Sequence, residues 1–420
     1  MKQIRAVGVA VLVSVIANVA LFGAASRFGW FDGVVASQND EPLNVGIVSV
    51  ATVLGIAGLL VARWLLARWR GPVRGRRTFL TISFVVLVVS LASPVGGLDG
   101  GTAGAVVTLM LTHVVTVIGG IAAADRATKP TWAWGGESYR RRPLPDTPVA
   151  FVSGVTGGIG AATALALVRN GFEVVGVGRS PEKAEAVRRA ATPLPGSIEV
   201  LIADMSSMRE AAEVGAQMAR AYPDGVDAVV HAVGTLKRES SPTVDGIDSN
   251  IATSWLSRVQ AHRQLVLKED ARVVNIAAAE SGATPTRLLG RLESADDLDS
   301  GFAAHGQAQM ANDLWVASLQ RQGITAFGYG PGAVDTDIRR EIPPALRAMI
   351  RPFFWWSTRR PGETAEDIVR LLLDADLPAA GGFASRDGLF EHNEHVLDVD
   401  HQNQVERLAD ALLAQASSTA

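Results

Sequence analysis

The strongest chemical signal in the sequence is a glycine-rich loop that separates a predicted strand from a predicted helix. The loop reads Val152-Ser-Gly-Val-Thr-Gly-Gly-Ile-Gly160, and a helical pattern follows it over residues 161–170. Glycines at this spacing allow a tight turn and let backbone N–H groups and a helix N-terminus approach a pyrophosphate. Glycines also occur in ordinary loops, but the position between a strand and a helix favours nucleotide binding.

A second signal concerns the type of nucleotide. Arg179 stands between Gly178 and Ser180, directly after the second predicted strand. An acidic residue there would hold a ribose 2′-hydroxyl, whereas an arginine suits a 2′-phosphate. The sequence therefore favours NADP as the cofactor and keeps NAD as the alternative. If Arg179 is only an exposed surface arginine, it selects neither.

An α/β fold is needed to position these residues. From Val149 onward, short apolar runs alternate with amphipathic helical patterns. Strands that alternate with helices indicate a Rossmann-type, doubly wound parallel sheet, which gathers the loops after the strands at one edge. Seven strands are predicted, over residues 149–153, 173–177, 198–203, 228–231, 272–276, 325–329 and 382–385.

Several spaced motifs of this region resemble the short-chain dehydrogenase/reductase family, in particular its retinol-dehydrogenase-like branch. The glycine loop resembles TGxxxGIG with serine for threonine, His231-Ala-Val-Gly234 resembles NNAG without its asparagines, and residues 331–336 resemble PGxVxT. Asp204 matches the aspartate that meets the adenine ring. The resemblance covers essentially all of residues 148–415. It implies a cofactor-binding set of Ser153, Gly154, Thr156, Gly157, Gly158, Ile159, Arg179, Asp204, Met205, His231, Ala232, Gly234, Gln309, Pro331, Gly332 and Thr336.

The catalytic positions depart from that family, which uses a tyrosine, a lysine four residues later, a serine and an asparagine. No Tyr-x-x-x-Lys occurs anywhere in the chain. Residues 301–312 resemble the family's GFAYxxxKxAN stretch, so His305 stands at the tyrosine position and Gln309 at the lysine position. Ala278 stands at the serine position, and Asn250 alone matches. The resemblance therefore leaves Asn250 and His305 as the catalytic candidates.

Two functions follow from these substitutions, and the sequence leaves open whether the domain is an enzyme. In the first, His305 transfers a proton beside the nicotinamide, since an imidazole titrates near pH 6.5 and proton transfer by a placed side chain contributes about 10²- to 10⁴-fold. Gln309 supplies no cation, and Ser281 is the alternative source of a hydroxyl. The domain would then be an NAD(P)(H)-dependent oxidoreductase of a lipophilic alcohol or carbonyl. In the second, it is a catalytically inactive NAD(P)-binding sensor or scaffold.

The first third of the chain predicts a membrane domain. Its apolar segments run over residues 6–25, 45–67, 78–95 and 104–124, and a bilayer-spanning helix needs about 20 such residues. They account for the mean hydropathy of +0.21 over the whole chain. We predict a four-helix transmembrane domain (1–128), a juxtamembrane linker (129–147) and the dinucleotide-binding domain (148–420). The helical domain is similar to a small N-terminal membrane domain of unknown function.

The distribution of charge predicts how this domain is oriented. The N-terminus, the second loop and the segment after the fourth helix carry 13 Lys and Arg, whereas the other two loops carry only Arg27. Basic loops face the cytoplasm, so both termini and the dinucleotide-binding domain are predicted there, with the protein a multi-pass plasma-membrane protein. The first segment is longer than a signal-peptide core of 7–15 residues, which favours a retained helix over a cleaved signal. His113 is the ionisable residue within a predicted span.

The remaining features concern partners. Phe353-Phe-Trp-Trp356 lies between Arg351 and Arg359, which is typical of an interfacial segment but equally of a buried cap over the core. A net acidic second half gives no support to nucleic-acid binding, and self-association is left open. The absence of cysteine excludes disulfides and cysteine-ligated metals. Residues 391–395 lack zinc-helix spacing, so no metal site is predicted.

Overall fold

We describe the protein from a computed structural model. It describes residues 2–32, 34–36, 43–70, 72–96, 98–99, 102–127, 139–237, 239, 241–277, 301–332, 334–336, 359–386 and 388–419. The chain divides into two compact units, Met1–Ala133 and Trp134–Ala420. Residues 129–138 of the predicted linker (129–147) lie outside the described residues.

The N-terminal unit is built from four helices, as predicted. They are α1 (Lys2–Arg27), α2 (Val45–Arg70), α3 (Pro72–Gly96) and α4 (Ala103–Ala127), and a short antiparallel pair, β1 (Val35–Ala36) and β2 (Leu98–Asp99), accompanies them. Among the described residues, three helices are long and apolar enough to cross a membrane: α1, α2 and α4. The apolar stretch found in α3 is shorter, Thr78–Leu91, so a fourth span stays a prediction.

The interior of this unit contains a polar cluster that the sequence analysis missed. The Asn18 amide, which is fully buried, donates to Thr52 Oγ1 at 2.9 Å and to Thr116 Oγ1 at 3.0 Å, and so joins α1 to α2 and α4. Polar side chains within a bilayer-spanning bundle commonly hydrogen-bond across helices in this way. His113, the residue singled out from the sequence, is half-buried on α4.

The C-terminal unit is a Rossmann-type α/β fold, as predicted. Its strands are β3 (Val149–Ser153), β4 (Glu173–Gly178), β5 (Ser197–Ile202), β6 (Val226–His231), β7 (Leu267–Ile276), β8 (Thr325–Gly330), β9 (Gly381–Ser385) and β10 (Gly388–Phe390). Their order in the sheet is β10-β9-β8-β7-β6-β3-β4-β5. The prediction of seven strands was one short, because β10 turns back on β9 as a three-residue antiparallel strand.

The order of the strands reverses between β3 and β6, which are neighbours in the sheet. In an open α/β sheet, this switch point leaves a crevice beyond the carboxyl ends of the strands, where ligands bind. The glycine loop follows β3, and residues 232–237 follow β6, so both border the crevice.

The helices cover both faces of this sheet. They are α5 (Gly158–Arg169), α6 (Pro181–Ala191), α7 (Met208–Ala221), α8 (Ser249–Ile251), α9 (Ser257–His262), α10 (Gly301–Arg321), α11 (Pro361–Leu373), α12 (Glu394–Leu397) and α13 (Val399–Thr419). Their starts follow local chemistry: the Ser180 hydroxyl accepts from Lys183 N and Pro181 is the first residue of α6. A π-helical turn, Ala252–Leu256, joins α8 to α9. Such turns are frequent at functional sites.

The chain enters this unit near the amino-terminal ends of the strands, whereas the crevice lies at their carboxyl ends. Arg142 is buried, and its guanidinium donates to the backbone oxygens of Leu372 (2.8 Å), Asp270 (3.0 Å) and Asp227 (2.9 Å). Asp227 and Asp270 lie in the first halves of β6 and β7. The last part of the predicted linker, which includes Arg142, is therefore fixed to the folded unit rather than loosely attached.

Candidate functional site

A cavity of about 750 Å³ lies at the switch point between β3 and β6. Such a volume is within the range of small-molecule and cofactor sites. Its lining includes 15 of the residues singled out from the sequence: Gly154, Thr156, Gly157, Gly158, Ile159, Arg179, Asp204, Met205, Ala232, Gly234, His305, Gln309, Pro331, Gly332 and Thr336.

The backbone of the glycine loop forms the floor of the cavity. Gly154 has φ +81°, a left-handed conformation, and a Cβ there would lie 2.9 Å from the Val233 backbone. A Cβ on Gly160 would lie 2.3 Å from Gly154 O, so the first turn of α5 packs closely on the loop. These two contacts bring the N-terminus of α5 to the cavity, where its N–H groups and dipole favour an anion.

Three predicted site residues are absent from the lining and support it from below. Ser153 is buried, and its Oγ accepts from Ala232 N (3.0 Å) and Val233 N (3.1 Å), which holds the end of β6 beside that of β3. The Asn250 amide bonds to the backbone of Lys237, with Oδ1 accepting from its N–H at 2.8 Å. Asn250 therefore positions the loop after β6. His231 is the third, and its side chain points into the core.

His231 belongs to a buried aromatic cluster. Its Nε2 lies 3.3 Å from His262 Nδ1, and both rings pack against Trp315. Burial, together with the charge of Arg263, lowers the pKa of His262 to about 4. Burial also lowers the pKa of His231, so both imidazoles are neutral at pH 7.

One end of the cavity is cationic. It is lined by Arg179 and Ser180, which directly follow β4, and by Lys183 in the first turn of α6. The sequence analysis missed Lys183. The signal that could have identified it is its position four residues after Arg179, at the start of a predicted helix. Two cations beside a helix N-terminus suit a phosphate group.

The other end contains His305 and Gln309, which lie one turn apart on α10. His305 Nδ1 is 2.9 Å from Thr235 O, and the Gln309 amide nitrogen is 3.4 Å from His305 Nε2. Burial lowers the pKa of His305, and the nearby Arg258 charge contributes in the same direction, although the hydrogen bond to Thr235 opposes both. The helix thus presents a neutral imidazole to the cavity.

Arg258 is a cavity-lining cation that the sequence analysis did not find. It is buried at the start of α9, directly after the π-helical turn. Its Nε donates to Val233 O at 2.9 Å and one Nη donates to Asn275 Oδ1 at 2.8 Å. Asn275 Nδ2 in turn donates to Asn312 Oδ1 at 2.9 Å, so the guanidinium is fixed by β7 and α10. No local motif marks it, because its contacts come from distant parts of the chain.

Several features from the sequence fall outside the described residues: Ala278, Ser281 and the aromatic segment 353–356. In the segment 391–395, His392 is buried and its Nε2 lies 3.3 Å from Asp313 Oδ2. This contact ties the segment to α10 and gives it a structural role.

The donors around the cavity fit a dinucleotide. An open glycine cradle at a helix N-terminus suits a pyrophosphate, since a Cβ on Gly157 would meet no atom within 4 Å. Asp204, which follows β5, also lines the cavity, and its Oδ1 accepts from Ser206 N at 3.0 Å. A dinucleotide in this cavity would have the cations near one end and His305 near the other.

Comparison with known proteins agrees with this geometry. The sequence model of the family "short chain dehydrogenase" matches residues 148–288, and that of a family of unknown function, DUF6069, matches residues 1–130. Human polyprenol dehydrogenase is 27% identical over 255 residues, which cover 57% of this chain and 76% of that protein. Human retinol dehydrogenase 13 is 23% identical over 288 residues, 64% of this chain and 84% of that protein.

A short-chain dehydrogenase from Burkholderia cenocepacia in complex with NADP aligns with a TM-score of 0.45 and 22% identity, over 57% of this chain and 97% of that one.

Proposed function

Since its C-terminal unit is a short-chain dehydrogenase/reductase domain joined to an N-terminal DUF6069 region with three membrane-length helices, we propose that this protein is a membrane-anchored, NADP(H)-dependent oxidoreductase. Its substrate is a lipophilic alcohol or carbonyl. The observation that carries the proposal is the single cavity, which connects the glycine loop to His305.

The preference for NADP rests on the cationic end of the cavity. Arg179 and Lys183 both line it, and the capped start of α6 lies between them. A 2′-phosphate there would be attracted by the two positive side chains and by the partial positive charge of the helix N-terminus. No acidic residue occupies position 179, where a ribose 2′-hydroxyl would need one. NAD is the alternative cofactor.

When bound, a nicotinamide dinucleotide supplies hydride transfer, and the protein supplies position and electrostatics. The glycine loop and the N-terminus of α5 would hold the pyrophosphate, and Asp204 the adenosine part. The nicotinamide would be bordered by Pro331, Gly332, Val334 and Thr336. His305 exchanges a proton with the substrate oxygen. Gln309 and Thr235 hold its ring in place.

The lipophilic character of the substrate is supported by the membrane anchor and by the names of the relatives, which describe dehydrogenases of polyprenol and retinol. Thirteen basic residues on one side of the predicted spans, against one on the other, support a cytoplasmic location for the domain and both termini.

Binding and turnover of the full-length protein in detergent micelles or nanodiscs test this proposal. We expect NADPH to bind more tightly than NADH, and a panel of hydrophobic alcohols and carbonyls to include a substrate. Turnover should be lost in His305→Ala while binding persists. Binding without turnover of any substrate would favour the inactive sensor or scaffold, and failure to bind either dinucleotide would exclude both functions.

A further inference from the structure

Arg258 is a cation in the wall of the cavity, and only 2% of its surface is exposed. Its guanidinium donates to the backbone oxygens of Val233 and Ile276 and to the amide oxygen of Asn275. None of these acceptors is a carboxylate, and no Asp or Glu in the described part of the chain pairs with it. Most buried charges in proteins are paired, because an isolated buried charge is costly. The described residues therefore leave the charge of Arg258 uncompensated.

One N–H group of this guanidinium is unused. A guanidinium has five N–H groups, and the bonds to Val233, Asn275 and Ile276 use four of them. The fifth is on Nη2, and a Cβ on Gly234 would lie 3.3 Å from that nitrogen. Gly234 lines the cavity, and as a glycine it places no side chain between this donor and the cavity. The fifth N–H is thus available to a ligand.

The other charges of the cavity do not compensate Arg258. Arg179 and Lys183 form the cationic end, and Asp204, which follows β5, is the one acidic residue among the described lining residues. In a bound dinucleotide, the 2′-phosphate would be held at the cationic end and the pyrophosphate at the glycine loop. Neither phosphate group would reach the end at which His305 stands. A dinucleotide would therefore leave the charge of Arg258 without an anion.

Arg258 and His305 are held by the same short loop. Arg258 Nε donates to Val233 O at 2.9 Å, and His305 Nδ1 lies 2.9 Å from Thr235 O. Two residues of extended chain span at most about 7 Å, so the two anchoring residues are no farther apart than that. Both side chains line the cavity. One small molecule can therefore contact the imidazole and the guanidinium together.

We propose that Arg258 binds a carboxylate of the substrate, so that the substrate is a hydroxy acid or an oxo acid with an apolar chain. The proposal rests on the proposed function and adds the charged group that the substrate carries. The reacting carbon lies at His305, and the carboxylate lies a few bonds away at Arg258. A carboxylate oxygen accepts a short, charge-assisted hydrogen bond from a guanidinium N–H, and its negative charge compensates the buried cation.

The charge that this bond needs is present at neutral pH. Burial lowers the pKa of Arg258 to about 9, so the guanidinium is charged at pH 7. A single unused N–H matches one oxygen of a carboxylate. A phosphate has more oxygens and more charge, and binding it commonly takes several donors. The carboxylate is therefore the better match to this site.

Equilibrium binding to the full-length protein in nanodiscs, saturated with NADPH, tests the proposal without turnover. The probes are 3-hydroxyhexanoate and its methyl ester, which carry the same hydroxyl group and differ in charge. We expect the wild type to bind the acid about 10- to 100-fold more tightly than the ester, because a hydrogen bond between charged groups is lost in the ester. Isothermal titration calorimetry measures both affinities, with empty nanodiscs as the baseline.

Variants then assign the preference for the acid to Arg258. Arg258→Gln should remove the difference between acid and ester, whereas Arg258→Lys should keep part of it. In Gly234→Ala the guanidinium is retained, but the new Cβ covers its fifth N–H, so the difference should shrink. Arg263→Gln is the matched control, because Arg263 follows the same helix and pairs with Glu406 and Asp410 away from the cavity lining. It should keep the full preference.

Several results would overturn the proposal. Equal affinity of the wild type for the acid and the ester is sufficient, even if no Arg258 variant folds. A preference that persists in a folded Arg258→Gln variant also contradicts it, and so does tighter binding of hexyl phosphate than of the acid. If NADPH binding is lost in a folded Arg258→Gln variant, the cation serves the dinucleotide and the proposal is wrong. Failure of the wild type to bind NADPH would instead contradict the proposed function.

Discussion

At one end of the cavity, Arg179, Lys183 and the glycine loop have the residue types and spacing expected of a dinucleotide site, and they follow one another closely in the sequence. At the other end, which we call the reaction end, the cavity is lined by His305 and Gln309, predicted to stand at the tyrosine and lysine positions of the family, and by Arg258. The first end uses mainly backbone N–H groups and exposed cations. The second uses buried side chains held by hydrogen bonds from distant strands and helices.

This difference predicts that dinucleotide binding and proton transfer are separable in this domain. A backbone cradle depends on glycine positions and on the start of a helix, so it persists when side chains nearby change. A proton-transfer site depends on the pKa and the orientation of single groups. The reaction end could therefore be altered while the fold and the nucleotide end were retained.

The largest expected effect separates the two ends directly. We expect His305→Ala to reduce kcat by about 10²- to 10⁴-fold, because the substrate loses its proton acceptor. Dinucleotide affinity should change little, since the phosphate-binding groups lie at the opposite end of the cavity. Stopped-flow turnover together with fluorescence titration of NADPH would measure both. An equal loss of binding and turnover would show that the two ends are not independent.

The stability of the domain should fall in acid because His262 is buried in the core beneath the cavity. His262 has a folded pKa of about 4 because it is buried, against an ordinary value near 6.5. The stabilisation that depends on neutral His262 is fully present above pH 6.5. As the pH falls toward 4, the free energy of unfolding decreases by about 3 kcal/mol. Thermal unfolding between pH 7.5 and 4.5 checks this. His262→Gln should flatten the pH dependence, whereas the exposed His395→Gln should not.

Much of the fold could be predicted from the sequence because its signals are local. Apolar runs separated by helical patterns located seven of the eight strands, and the glycine loop located the switch point. β10 was missed because three residues give no periodic pattern, and its pairing with β9 depends on a tight turn. The pair β1 and β2 was missed for the same reason.

The site was predictable only where function is read from consecutive residues. Arg179 was found because it directly follows β4. Arg258 was not, since nothing around it in the sequence signals that Val233, Asn275 and Ile276 converge on its guanidinium. The same limit applies to Asn250 and His231, which the motifs suggested as contact residues but which lie beneath the cavity.

The nucleotide end can be weakened by backbone strain at a single position. Gly158 has φ +53° and a Cβ would lie 3.0 Å from Thr336 Cγ2, whereas Gly171 has φ +85° with no atom within 4 Å. Alanine in this conformation costs about 1–2 kcal/mol, so both variants should lose similar stability. Only Gly158→Ala should lower dinucleotide affinity, by about 5- to 30-fold. Calorimetric titration and thermal unfolding together separate the two effects.

The smallest expected effect concerns cofactor choice. Because Arg179 is exposed, we expect Arg179→Ala to weaken NADPH binding by only about 5- to 10-fold, with NADH binding unchanged and the salt dependence of NADPH binding reduced. Arg189→Ala is the matched control, since that side chain lies on α6, is 69% exposed and does not line the cavity. If NADH binding weakens as much as NADPH binding, Arg179 acts on a part common to both dinucleotides. The role of Arg179 would then be one that its position after β4 does not predict, as is the case for Arg258 at the reaction end.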